Sequence, residues 1–208
     1  MEEWLYEVNG DNTIRYMLGK VGKKTLVCFG INPSTAEPNK LDATLESVQR
    51  IALHNEFDGW VMFNVYPKRD TNFNDLHDIC NDIAHKENIR IIKQYFESKA
   101  EITAWAAWGN HLYERDYLIP CFKEIYSAIN SDKVSWVATG VNKTGSPKHP
   151  LYQKKDSNLN KFDMNSYINS ITRGNVMMEK VYVVAMSDDE EYVLLKRGDS
   201  YAVCAQLI

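Results

Sequence analysis

With 208 residues, 44% of them apolar and 25% charged, the chain has the composition of an ordinary globular protein and length enough for one good hydrophobic core. A net charge of -4 argues against a protein that coats nucleic acid with its whole surface, while leaving room for a local basic patch. The opening MEEWLYEV is acidic, without the basic and apolar regions of a signal peptide, and no stretch has the apolar length of a membrane span; a cytoplasmic protein with no membrane contact is expected.

After a β-prone run at Thr13–Val21, four short apolar runs read as buried strands: Thr25–Asn32, Trp60–Asn64, Ile102–Gly109 and Ser135–Gly140. Their near-continuous apolarity, rather than strict alternation, is that of parallel strands covered on both faces. Between them lie helical periods. Leu41, Leu45, Val48 and Ile51–Ala52 mark a helix within Leu41–Phe57, with Asp42 able to cap its first turn. Leu76, Ile79, Ile83, Ile89, Ile92 and Phe96 mark a second helix within Asn74–Ser98. Ile119, Phe122, Ile125 or Tyr126, and Ile129 mark a third, with Pro120 tolerable in its first turn.

The order βαβαβαβ predicts a mainly parallel, four-stranded sheet with right-handed crossovers and a ligand crevice beyond the carboxyl ends of the strands. The tail has a different pattern. Val181–Met186, Tyr192–Lys196 and Ala202–Leu207 are joined by turn-like SDDEE and Arg197–Gly198–Asp199–Ser200, which predicts a small β meander. The division expected is a core domain over 1–170 and an extension over 171–208 that lengthens a sheet edge or forms a homodimer contact. Cys28, Cys80, Cys121 and Cys204 are scattered, without a CxxC pair or a histidine at ligand spacing; free buried thiols are expected, and neither a metal nor a cofactor.

Several loops leave strand carboxyl ends and carry polar groups. Gly30–Ile31–Asn32–Pro33–Ser34–Thr35 ends the first apolar run with a glycine that permits close approach, an amide, a rigid proline and two hydroxyls. Such a loop can present N–H groups and hydroxyls to an anion or a polar ring, or it can be an Asx–Pro turn that ends a strand. It is not a phosphate loop, since no GK[ST] follows. Asn64 can read a base edge with its paired donor and acceptor, or cap its strand, and Lys68 and Arg69 beyond it can meet phosphate. Trp105 and Trp108 serve as core or as a stacking platform. His149, stiffened between Lys148 and Pro150, suits a preorganised donor, and Lys143, Lys148, Lys154 and Lys155 around it form a basic patch or a solvated face.

These pieces resemble the family catalogued as domain-of-unknown-function family 1643. The resemblance rests on Arg15–Tyr16 with Leu18, Ile31–Asn32–Pro33–Ser34–Thr35–Ala36, Asp42 with Thr44, Asn64 with Arg69 and Thr71, Ala107–Trp108–Gly109–Asn110–His111, and Gly145 through Tyr152. More distantly, Gly30–Pro33, Asn64, Trp108–Gly109 and His149–Pro150 follow the motif order of the uracil-DNA glycosylase superfamily. That resemblance implies a three-layer α/β/α fold and cleavage of an N-glycosidic bond in nucleic acid or a nucleoside. Asn32 would position a water and His149 would stabilise the departing base; Gly30, Ile31, Pro33, Ser34, Thr35, Asn64, Arg69, Trp108, Asn110 and Lys148 would hold the substrate. Two departures stand out: Leu151 follows Pro150 where glycosylases have serine, and the first loop has no aspartate to act as a base. The alternatives are a non-catalytic module that binds a nucleotide or nucleic acid, and a phage or host interaction protein.

Overall fold

A computed structural model describes residues 3–70, 76, 79–177, 182–186, 192–197 and 200–205. The chain divides into two compact units, Met1–Met164 and Asn165–Ile208. In the first, the four expected strands are β3 (Thr25–Gly30), β4 (Gly59–Asn64), β5 (Ile102–Ala106) and β6 (Val134–Ala138), and all are mutually parallel where they pair. The sheet is nevertheless seven-stranded rather than four-stranded. β1 (Trp4–Val8) and β2 (Arg15–Lys20) add an antiparallel hairpin beside β4, and the two-residue β7 (Asn160–Lys161) pairs antiparallel with β6.

The strand order is β1-β2-β4-β3-β5-β6-β7. The chain leaves β3 toward β4 on one side and leaves β5 toward β6 on the other. The gap between the carboxyl ends of β3 and β5 is therefore the switch point at which open α/β sheets admit ligands.

Alternate residues of the central strands feed opposite faces. Leu26, Cys28, Trp60, Met62 and Trp105 share a buried cluster with Leu45, Val48, Ile51 and Ala52 of α1 (Ala43–His54). On the other face, Phe29 and Phe63 meet Phe96 of α2 (Asp82–Glu97), and Trp136 meets Tyr126 of α3 (Leu118–Ile129). α1 follows the expected period and is capped as expected, with Asp42 Oδ1 accepting from Leu45 N–H at 2.9 Å. α3 buries Ile119, Phe122, Ile125 and Ile129 on one side, with Pro120 in its first turn.

α2 corrects the sequence reading. Its cap is Asn81, whose side chain accepts from Ala84 N–H, and Ile79 and Ile83 are 81% and 83% exposed. The buried side is instead Ala84, His85, Asn88, Ile91, Ile92 and Phe96. A polar residue, Asn88, holds that face because its amide donates to Asn64 O at 2.9 Å, tying the helix to the end of β4.

In the second unit, β8 (Tyr182–Met186), β9 (Tyr192–Arg197) and β10 (Ser200–Ala205) form a three-stranded antiparallel sheet of their own, preceded by most of α4 (Met164–Met177). The SDDEE turn, Gly198, Asp199 and Thr71 lie outside the described residues. No helix among the described residues is long and apolar enough to cross a membrane.

Candidate functional site

The loops after β3 and β4 are stitched to each other beyond the sheet. Val65 and Tyr66 N–H groups donate to Gly30 O and Ile31 O, and Asp70 N–H donates to Pro33 O. Asn32 Nδ2 adds bonds to Asp70 O at 3.1 Å and Pro33 O at 3.3 Å. The amide nitrogen is thus spent on the backbone, while Oδ1 has no partner among the described residues and remains as an acceptor. Arg69 completes the clamp, donating to Ser34 O, Ala36 O and the Tyr6 hydroxyl.

A cavity of about 300 Å³ opens at the switch point. Gly30, Ile31, Asn32 and Ser34 line it from the β3 loop, Met62 and Asp70 from β4 and beyond, and Trp108 and His111 from the β5 side. The first turn of α1, Arg15 at the start of β2, and His149 with Leu151 close it. A second cavity of about 890 Å³ shares His111, His149 and Leu151 with the first and continues along Asn110, Lys148 and Lys154.

His149 is fixed by its own turn. Its Nδ1 accepts from Leu151 N–H at 3.3 Å at the head of a one-turn 3-10 helix, Pro150–Tyr152, which leaves Nε2 as the protonated nitrogen. Burial, then the neighbouring charge of His111, holds the imidazole from 6.5 down to about 4, against the opposing pull of Asp42. At neutral pH the ring is therefore a neutral hydrogen-bond donor. Gly109 makes room for it: with φ at +67°, a Cβ there would stand 3.3 Å from His149 Cβ.

Asn64 ends β4 beside Gly30 and is 1% exposed. Neither Oδ1 nor Nδ2 has a partner among the described residues. Gly30 is required here for close approach, because a Cβ would meet Met62 Cε at 2.5 Å and Asn64 Oδ1 at 2.9 Å. An unmade donor and acceptor therefore lie buried beside Gly30, on a residue that lines neither cavity itself. Leaving both unpaired carries a desolvation cost on the order of 1–3 kcal/mol for each group.

Six of the expected site residues share the first cavity: Gly30, Ile31, Asn32, Ser34, Trp108 and His149. Asn110 and Lys148 line the second. Pro33 is buried and Thr35 exposed, and neither lines either of these two cavities; Arg69 faces the loop backbone. Trp108 is fully buried against Phe122, Trp136 and Phe162, as is Trp105 within the core. The sequence reading passed over Arg15, Asp42, Asp70 and His111 as site groups. In the sequence Asp42 reads as a helix cap and, with Arg15, as part of the family resemblance, and neither is marked there as a site group.

The family described as "Protein of unknown function (DUF1643)" matches residues 15–151, more than half of the chain. No curated protein and no solved structure matches it.

Proposed function

The chain belongs to the DUF1643 family, and we propose that its first cavity holds a nucleobase-bearing ligand and hydrolyses the N-glycosidic bond. The observation that carries this reading is the convergence, in one cavity, of the Asn32 acceptor, the Asp42 carboxylate and a neutral His149 donor. At about 300 Å³ the space is at the lower end of small-molecule pockets, the size for a base and part of its sugar. The packing of α1 on one face of the sheet and of α2 and α3 on the other supports this reading.

In this reading the C1′–N bond breaks as water forms the C1′–O bond. Asn32 Oδ1 accepts a hydrogen bond from that water and orients it. An amide cannot take the water's proton at neutral pH, and Asp42, which commits Oδ1 to Leu45 N–H, has its second oxygen for that task. The departing base carries the electron pair of the broken bond, and Nε2–H of His149 donates to it as charge develops. The neutral ring donates through Nε2–H and keeps its proton, so the base departs as the anion and the water's proton goes to Asp42. Leu151, at the glycosylase serine position, contributes the N–H that sets the His149 tautomer. Asn64 supplies the unmade pair of bonds that a base edge would complete.

The test is chromatographic detection of free base after incubation with oligonucleotides, nucleosides and nucleotides carrying uracil, hypoxanthine and the common bases. The expected result is release that falls roughly a hundred- to a thousandfold in His149→Ala and in Asn32→Ala. Absence of release from every substrate overturns hydrolysis, as does release that neither variant alters. Nucleotide binding that persists without release, and that His149→Ala weakens, would mark the cavity as a binding module.

A further inference from the structure

Arg15 is 2% exposed and lines the first cavity. Its Nη1 donates to Ala36 O at 2.9 Å, and its buried Nε has no acceptor among the described residues. Among the described residues no carboxylate lies within ion-pair distance of it; Asp42 attracts it from farther away, and it feels the like charge of Arg69, whose own partners there are backbone carbonyls and a tyrosine hydroxyl. Burial, then the charge of Arg69, pushes Arg15 down to about 10 against the opposing pull of Asp42 and Tyr6, so burial outweighs the attraction available to the guanidinium. A buried cation with an unpaired donor and no ion-pair partner among the described residues is a standing cost, and it is lowered when an anion arrives.

A second feature faces the same space. The twelve-residue α1 points its N-terminus into the cavity through Asp42, Ala43, Thr44 and Leu45. Leu45 and Glu46 N–H groups are taken by Asp42, whereas those of Ala43 and Thr44 have no acceptor among the described residues. The helix dipole and two open amides favour negative charge at this point.

We infer that Arg15 and the first turn of α1 form an oxyanion subsite, and that the ligand of this cavity is phosphorylated, as a nucleoside monophosphate is. The nucleoside part of that identification rests on the function proposed above; the oxyanion subsite does not. Guanidinium geometry matches a phosphate in a bidentate manner, and the α1 amides meet its remaining oxygens. The carboxylates of Asp42 and Asp70 line the same cavity and oppose a bare polyanion there. They accept hydrogen bonds, so the fitting ligand pairs one oxyanion with hydroxyl donors, which is the pattern of a sugar phosphate. Beyond His149 the second cavity takes what the first does not hold.

Calorimetric titration of the full chain tests this with inorganic phosphate, ribose 5-phosphate, and matched nucleoside and 5′-monophosphate pairs. The monophosphate of the preferred base is expected to bind about ten- to a hundredfold more tightly than its nucleoside, the worth of one charge-assisted contact. Arg15→Gln is expected to erase that advantage. Ala43→Pro removes one open N–H at the first helical position, where proline is tolerated, and is expected to weaken the phosphorylated ligands several-fold without affecting nucleosides. Should Arg15→Gln fail to fold, Ala43→Pro and the wild-type pairs decide. The subsite is overturned if phosphate adds no affinity in any pair and inorganic phosphate does not bind. Nucleosides cleaved as well as nucleotides, with no gain from phosphate, would overturn the subsite and leave the hydrolytic function standing. Arg15-dependent binding of inorganic phosphate and ribose 5-phosphate, with no response to any base, would support the subsite and remove the nucleobase reading.

Discussion

Protonating His149 should destabilise the fold by an amount that the structure sets. The ring moves from 6.5 to about 4 on folding, chiefly through burial. At about 1.4 kcal/mol per pH unit, that displacement corresponds to about 3 kcal/mol. The unfolded chain takes up a proton at this position below about 6.5, and the folded chain only near 4. Between those limits the unfolded state holds more protons, so stability is complete above pH 6.5 and declines as the pH falls to 4, where the loss levels off. His149→Asn is the informative comparison, because asparagine Oδ1 can replace Nδ1 as the acceptor for Leu151 N–H while removing the titration. Urea unfolding of both proteins from pH 7.5 to 4 should show wild type losing about 3 kcal/mol more than the variant across the window. Histidine NMR should place the His149 midpoint near 4. Parallel stability curves, or a His149 midpoint at 6.5, would refute the burial-driven depression of the imidazole.

Three other substitutions probe the site. Gly109→Ala places a side chain at φ +67° against His149 and should cost about 1–2 kcal/mol in urea unfolding; an unchanged midpoint would mean the turn tolerates a Cβ. Asn64→Leu replaces an orphaned amide by an apolar group of similar shape and should raise stability by about 1–2 kcal/mol while abolishing base recognition; lower stability would show that the amide is paired in solution. Arg69→Met keeps the stem but removes the donors to Ser34 O, Ala36 O and Tyr6 OH, so amide exchange at Tyr66 and Asp70 should accelerate; undiminished protection would show that backbone stitching alone holds the loops.

The central strands were legible because burial on both faces leaves a continuous apolar run, and α1 and α3 because one apolar stripe coincides with a capped or proline-tolerant start. The edge strands were not. β1 is half-buried and mixed in character, and β7 has two residues, too short for any period to register. In α2 the apolar spacing of Ile79 and Ile83 imitates a helical face although both are exposed, and the Asn81 cap gives the true start. His85 and Asn88 on the buried side break the apolar count for reasons of bonding that composition does not carry.

At the site, the polar loop residues divide in a way their identities do not announce. Arg69 looks like a phosphate ligand because it sits in a polar loop, yet three of its donor contacts are already made within the fold. Arg15 looks like a strand residue because it opens RYMLGK, yet it keeps a guanidinium almost wholly buried with one carbonyl acceptor. What separates them is the balance of donors against acceptors, and that balance is decided by where the β3 loop folds back. The same reasoning places Asp42. As a cap it commits one carboxylate oxygen; the residue lines the cavity because α1 begins there, with the open amides of Ala43 and Thr44 beside it. A carboxylate for the water's proton and an amide pair for an oxyanion thus arise from one helix start. Shifting that start by a single residue would turn the next side chain outward and remove both together.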